Sequence, residues 1–179
     1  MSFLGGLSLG AAHSLMLKQD GSVWATGLNL YGQLGVGSRG DSYDNFVRAV
    51  ASGTRDVSAG GGHSIVLRQD GSVWVTGSNS DAELGDGTTN DRASFAKVIP
   101  SGAKAVSAGD AFSMVLMQDN SVWAAGDNED GQLGAGSNKE LKSFFRVIGV
   151  FTGLTPVLKT PEYSQHYHTR SPDPRLCTP

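Results

Sequence analysis

Apolar residues along this chain gather in short runs, and the runs return at a fixed interval. His13-Ser14-Leu15-Met16-Leu17 comes back as His63-Ser64-Ile65-Val66-Leu67, and again as Phe112-Ser113-Met114-Val115-Leu116. Val23-Trp24 recurs as Val73-Trp74 and Val122-Trp123, and Leu34-Gly35 as Leu84-Gly85 and Leu133-Gly134. The offset is 50 residues and then 49, the difference falling in one loop, where Gly37 to Phe46 spans one residue more than Gly87 to Phe95. Such a period marks a repeat architecture, in which each copy is one supersecondary unit that buries its faces only against its neighbours.

The local chemistry of each copy is β. His63 to Leu67 is short, apolar and β-branched at Ile65 and Val66, as a strand buried on both faces should be. Asp70-Gly71 ahead of Val73-Trp74-Val75, and Asp20-Gly21 in the first copy, predict two-residue hairpins. Asp119-Asn120 takes that place in the third copy, and asparagine follows glycine in tolerating a positive φ. Gly77, Gly85 and Gly87 make a tight loop anchored by Leu84, with a third strand expected over Phe95–Ile99 and a fourth over Ala105–Ala108. No stretch sustains a helical period.

Four short strands per repeat predict a propeller blade. A leucine-rich solenoid needs a shorter period, and helical repeats need helix formers where this chain has Gly, Val and Trp. The expected fold is all-β, an open propeller-like array of about three four-stranded blades over residues 1–148. The copies fall at about 7–56, 57–105 and 106–148, with strands near 13–18, 23–27 and 46–50 or their equivalents. Residues 149–179 hold five of the six prolines and no strand alternation, which predicts a disordered tail. Thr155-Pro156, Thr160-Pro161, Ser171-Pro172 and Thr178-Pro179 leave proline-directed phosphorylation open there.

The string Gly-x-x-His-Ser followed by two apolar residues and Leu, then Gly-x-Val-aromatic, then Gly-x-Asn-x-x-Gly-Gln-Leu-Gly, is carried by Gly10 to Leu17, Gly21 to Trp24 and Gly27 to Gly35, and again downstream. It resembles the regulator of chromosome condensation repeat family over residues 7 to 148. The resemblance implies a closed ring of seven blades in complete members, of which this chain has about three. Three readings of the incomplete ring stand open: a fragment of a longer protein, assembly with other copies to close a ring, or an open array whose tail covers one edge. The resemblance also implies two functions as alternatives. One is guanine nucleotide exchange on a Ran-like small GTPase, which in the family depends on a whole ring and a wedge-like insertion that no copy here carries. The other is the repeat portion of a HECT-type ubiquitin ligase whose catalytic domain lies elsewhere.

A length of 179 residues gives room for one ordinary domain with a core. A formal charge of −3 provides no electrostatic footprint for nucleic acid or an anionic membrane. Apolar continuity is too short for a membrane helix. Cys177 is the single cysteine and forms no internal disulfide, which fits a reducing compartment. Met1 to Gly6 has the small and apolar residues of a secretory signal but lacks its basic start, and residues 7–17 belong to the repeat. An intracellular, cytoplasmic or nuclear location is expected.

Candidate chemistry is sparse. His13 and His63 read as structural because Phe112 replaces them in the third copy, and His166-x-His168 lacks a third metal ligand at a useful spacing. Asp127-Asn128-Glu129-Asp130-Gly131 fails calcium-loop spacing, and Leu30 and Tyr31 stand at its acidic positions in the first copy. Arg39-Gly40-Asp41 matches an adhesion tripeptide by coincidence. Trp24, Trp74 and Trp123 read as inter-blade packing; they lack the Gly-Trp-Arg-His-Thr setting of the plant ultraviolet-B photoreceptor, a relative by fold. No serine nucleophile, carboxylate pair, phosphate loop, metal site or cofactor site emerges.

The expected function is a non-catalytic protein-interaction module with an unidentified protein partner and no nucleic-acid or membrane partner. The segments that vary most between copies, Gly37–Asn45, Gly87–Ser94 and Gly136–Ser143, lie on the same inter-strand connection and should share one face. Arg39, Asp41, Tyr43, Asp91, Arg92, Lys139 and Glu140 are the candidate partner-binding residues. An open array should also leave Leu15, Leu17, Met114 and Leu116 partly open to water on its outer faces, lowering stability or driving self-association. Trp74, in the middle copy, should be flanked on both sides.

Overall fold

The computed structural model describes residues 4–148, within which every regular element is a strand. The first sheet takes β1 (Leu4–Leu9), β2 (His13–Lys18), β3 (Val23–Leu28) and β4 (Ser42–Val50). The second takes β5 (Thr54–Ala59), β6 (His63–Arg68), β7 (Val73–Gly77) and β8 (Arg92–Ile99). The third takes β9 (Ala103–Ala108), β10 (Phe112–Met117), β11 (Val122–Gly126) and β12 (Leu141–Ile148). Each sheet is an antiparallel meander in sequence order, one propeller blade.

The blades divide between Val50 and Thr54 and between Ile99 and Ala103. Ala105–Ala108, expected as the last strand of the second copy, therefore belongs to the first strand of the third blade. Gly102 turns the chain out of β8 at φ +84°, and Ala103 pairs forward with Met117. Boundaries at 56/57 and 105/106 fall inside β5 and β9. The tail expected over 149–179, with its Thr-Pro and Ser-Pro pairs, His166, His168 and Cys177, lies outside the described residues.

The turn between the second and third strands differs from the two-residue hairpin the Asp-Gly pair predicts. Gly21 N–H donates to Lys18 O at 2.9 Å and Lys18 N–H to Ser22 O at 3.0 Å, which makes a three-residue loop with only Gly21 at positive φ (+76°). Asp20 is kept out of the left-handed region by its carboxylate, which accepts from the Ser22 amide at 2.9 Å and hydroxyl at 2.6 Å. The Trp24 indole N–H then donates to Ser22 Oγ at 3.1 Å. Asp70, Ser72 and Trp74 repeat this, as do Asp119, Ser121 and Trp123. Asn120 takes φ +62°, as expected of the residue that replaces glycine.

The core lies between blades rather than inside them. Leu15, Leu17, Val23, Ala25 and Leu34 of the first blade pack on Val57, Ala59 and Val66 of the second. Ile65, Leu67, Val73, Val75 and Leu84 of the second blade face Val115 of the third, with Val106, Ala108, Met117 and Phe144 against them. At each joint the first and second strands of one blade lie against the first strand of the next. Among the described residues no pairing leads from the third sheet back to the first, so the arc they form is open.

Leu15 and Leu17 are buried, against the expectation that they face water. Both point toward the second blade; the side of β2 without a neighbour carries Ser14, Met16 and Lys18. Met114 and Leu116 are half-exposed as expected. The tryptophans are all half-buried. Trp74 packs on the first core cluster and Trp123 on the second, whereas Trp24 joins neither and lies under the Lys18 ammonium, 4.0 Å from its ring centroid. The difference thus runs between Trp24 and the other two, because the indole points toward the preceding blade and only the first blade lacks one.

Candidate functional site

The turns between first and second strands and the long loops between third and fourth strands emerge at the same end of the blades. Leu28 N–H donates to Ala12 O, Ser78 N–H to Gly62 O and Asp127 N–H to Ala111 O, at 2.8–3.0 Å. Each long loop, residues 29–41, 78–91 and 127–140, is built around one buried asparagine. Asn29 Oδ1 accepts from Leu34 N–H at 3.1 Å, and its Nδ2 donates to Ser38 O at 3.0 Å. Asn79 does the same to Leu84 N–H and Thr88 O, and Asn128 to Leu133 N–H and Ser137 O. A loop backbone that cannot pair with a strand is satisfied by this side chain, which fixes its shape.

A second side chain, buried in the first two blades and half-buried in the third, steadies the loop tip. Gln33 Oε1 accepts from Tyr31 N–H and Gln132 Oε1 from Asp130 N–H, both at 3.0 Å. The middle blade has Glu83 there, accepting from Asp81 N–H at 2.9 Å. Burial holds the Glu83 carboxyl above the ordinary glutamate range, against the opposing hydrogen bonds from Ser78 and Asp81.

Between blades, His13 Nε2 lies 2.9 Å from Ser64 Oγ, and Ser64 Oγ–H donates to Gln33 O at 2.7 Å. His63, Ser113 and Glu83 O form the same chain at 3.0 and 2.6 Å. Because each serine hydroxyl gives its proton to a carbonyl, the imidazole N–H must be the donor to it, which assigns the proton to Nε2. Both Nδ1 atoms are buried without a partner among the described residues. Burial lowers the pKa of His13 to about 4 and that of His63 to about 3. These imidazoles clamp one blade to the next in the neutral form.

Of the candidate partner-binding residues, Arg39 and Asp91 come together across the first joint, 3.7 Å apart, with Arg39 Nη2 also donating to Asp91 O. Asp91 Oδ1 accepts from Asn79 N–H at 2.9 Å. Arg92, at the start of β8, pairs with Asp86 of the loop that leads into it at 2.5 Å. Burial opposes the Asp86 charge, but Thr88 and Arg92 outweigh it and hold the carboxyl below its usual range. Tyr43 sits half-buried on the first core cluster, its hydroxyl 3.1 Å from Ser38 Oγ. Asp41, Lys139 and Glu140 are exposed at the loop ends, and the structure does not bring them together. Tyr43 and Arg92 were expected on the connection; they lie on β4 and β8, whose ladders reach back to pair Gly27 with Tyr43 and Gly77 with Arg92.

The loop tips themselves were not among the candidates. The first blade puts Leu30 and Tyr31 there, both exposed, where the second has Ser80 and Asp81 and the third Glu129 and Asp130. The signal was present in the sequence as the apolar pair at the acidic position. Shallow grooves recur on the outer side of both joints, one beside Trp74 and Phe95 and one beside Trp123 and Phe144. Among the described residues no three His, Cys, Asp or Glu side chains gather as a metal site would need, and no helix is long and apolar enough to cross a membrane.

Residues 6–33, 55–82 and 103–132 match the regulator of chromosome condensation (RCC1) repeat. None of the curated proteins matches the chain in sequence. Prp20p from Saccharomyces cerevisiae, solved in a study of its binding to Gsp1p and histones, superposes with a TM-score of 0.72 at 23% identity, over 80% of this chain and 38% of that one. Yeast RCC1 (Prp20) bound to Kap60 gives 0.72 at 24% over 80% and 37%. Human WBSCR16 gives 0.69 at 21% over 81% and 40%. The chain spans about two fifths of the length of these structures.

Proposed function

Since the chain is built from three regulator of chromosome condensation repeats, we propose that it is a non-catalytic protein-interaction module, acting inside the cell, that meets its partner with the long-loop face. One observation carries this reading: three loops leave the blades at one end, each held by a buried asparagine, with Arg39 and Asp41, Asp81, and Glu129, Asp130, Lys139 and Glu140 exposed on them. A preformed loop surface on a rigid sheet lowers the ordering cost of binding. Along that face the tips pass from Leu30 and Tyr31 to Asp81, Glu129 and Asp130, which suits a partner with an apolar edge followed by basic groups.

Photo-crosslinking from the two ends of the blades tests the reading. Reactive residues placed at Asp41 and Lys139 should capture a protein partner in cells, and residues placed at Gln19 and Gln69, on the opposite turns, should not. Equal capture from both ends would overturn it. Guanine nucleotide exchange is the second reading, favoured by the fold shared with Prp20p. Release of a fluorescent guanine nucleotide from a Ran-like GTPase separates the two, since a module without catalysis leaves the release rate unchanged.

A further inference from the structure

Each joint seats an aromatic knob on a glycine socket. Phe95 of the second blade lies where a Cβ on Gly35 of the first would be, and Phe144 of the third fills the same space at Gly85. The two ends of the arc carry the unmatched halves of this joint. Phe46, equivalent to Phe95 and Phe144, is 40% exposed. Gly134, equivalent to Gly35 and Gly85, has nothing within 4 Å of its Cβ position among the described residues.

The rest of the joint follows suit. Leu7 and Leu9 are 59% and 73% exposed, at the places where Val57 and Ala59 are buried to 8% and 7% by the first blade. Ser8 Oγ accepts from Ala59 N–H and Ser58 Oγ from Ala108 N–H, whereas their counterpart Ser107 is exposed. Ser64 and Ser113 donate to carbonyls of the preceding blade, while Ser14 has no preceding blade to meet. Met114 and Leu116 half-expose the side that Ile65 and Leu67 bury.

We infer that a second copy of this chain docks head to tail, with Phe46 of one copy seated at Gly134 of the other and the first blade stacked on the third as the second is stacked on the first. The surfaces are different on the two partners, so the contact is heterologous, and repetition leads to a closed ring or an open filament according to the rotation per copy. Two positions depart from the internal joints. Phe112 replaces the histidine that would reach Ser14, which removes that hydrogen bond but leaves Ser14 free to donate to Gln132 O. Asn120 adds a Cβ where the link to the next blade passes Gly21 at 2.7 Å; a strand not tethered to Ile148 is free to shift there.

Sedimentation of the full chain with two interface variants tests this. Wild type should associate in a concentration-dependent way, and Phe46→Glu or Met114→Glu should each weaken association by at least about tenfold. Mixing the two variants should restore one joint and give a 1:1 dimer that neither forms alone. Both changes lie on half-exposed sides, and melting curves check that the fold survives; Phe46→Leu, with a smaller loss, serves if the glutamate does not fold. A wild-type chain that stays monomeric, as it would if its own tail or another protein covers the face, overturns the proposal. So do variants that associate like wild type, which would mean strand-edge pairing, and a mixture that fails to complement.

Discussion

Strand β2 buries His13, Leu15 and Leu17 and leaves Ser14, Met16 and Lys18 half-covered. Strand β10, its equivalent in the third blade, buries Ser113 and Val115 and half-exposes Met114 and Leu116. Between them, β6 buries its first five residues, as if the two patterns were laid over one another. The three strands carry apolar residues at the same three central positions, so the difference comes from their neighbours. One side of each strand belongs to the joint before it and the other to the joint after it, and stability is held in those two joints.

Alanine at matched positions should break the equivalence most sharply. Leu15→Ala and Ile65→Ala empty fully buried sites and should each cost about 3 kcal/mol in urea unfolding, whereas Met114→Ala, at the same place in the third blade, should cost under about 1 kcal/mol. The opposite parity should invert the ranking: Val115→Ala should cost about 2 kcal/mol and Met16→Ala under about 1 kcal/mol. Equal losses at Leu15 and Met114 would mean that something covers the outer face of the third blade.

Acid should open the joints next. The folded pKa values of His13 and His63 lie below the ordinary 6.5, so their contribution is fully present above pH 6.5. It is lost as pH falls toward about 4 for His13 and about 3 for His63, because the unfolded chain takes up protons that the folded one refuses. Between pH 7 and 5 each histidine should remove about 2 kcal/mol. His13→Phe with His63→Phe, copying Phe112, should flatten that slope in melts followed by circular dichroism.

Smaller effects sharpen the picture at the ends. Asn120→Gly relieves a side chain from positive φ and should raise stability by less than about 1 kcal/mol. Arg39→Ala removes a partly exposed pair with Asp91 and should change the melting free energy by at most about 0.5 kcal/mol. A larger loss there would show that the loop face, and not only the apolar joint, ties the first blade to the second.

The repeat, its strands and the left-handed Asn120 were legible because each is set by residues close in sequence. Which blade a strand joins was less so: Ala103–Ala108 follows β8 after a turn like any other, and only its pairing with β10 assigns it. The free side of β2 was also hidden, since Leu15, Met16 and Leu17 are apolar on both parities. Arg92 looked like a solvent-facing binder until Asp86 claimed it, a pairing made by loop curvature. The asparagine of the Gly-x-Asn motif was visible, but its work as the loop's internal partner needed the folded loop.

The Asp-x-Ser-x-Trp turn has an optical consequence. Three indoles hang from the same serine hydroxyl in three blades, yet Trp74 looks into the first joint, Trp123 into the second, and Trp24 onto the face that precedes them both. Indole emission shifts with the polarity around the ring, so variants that keep one tryptophan at a time would turn fluorescence into a separate gauge for each joint. Trp74 and Trp123 would report the loosening of their own joints on heating, and Trp24 would shift to the blue only when another blade arrives to cover it.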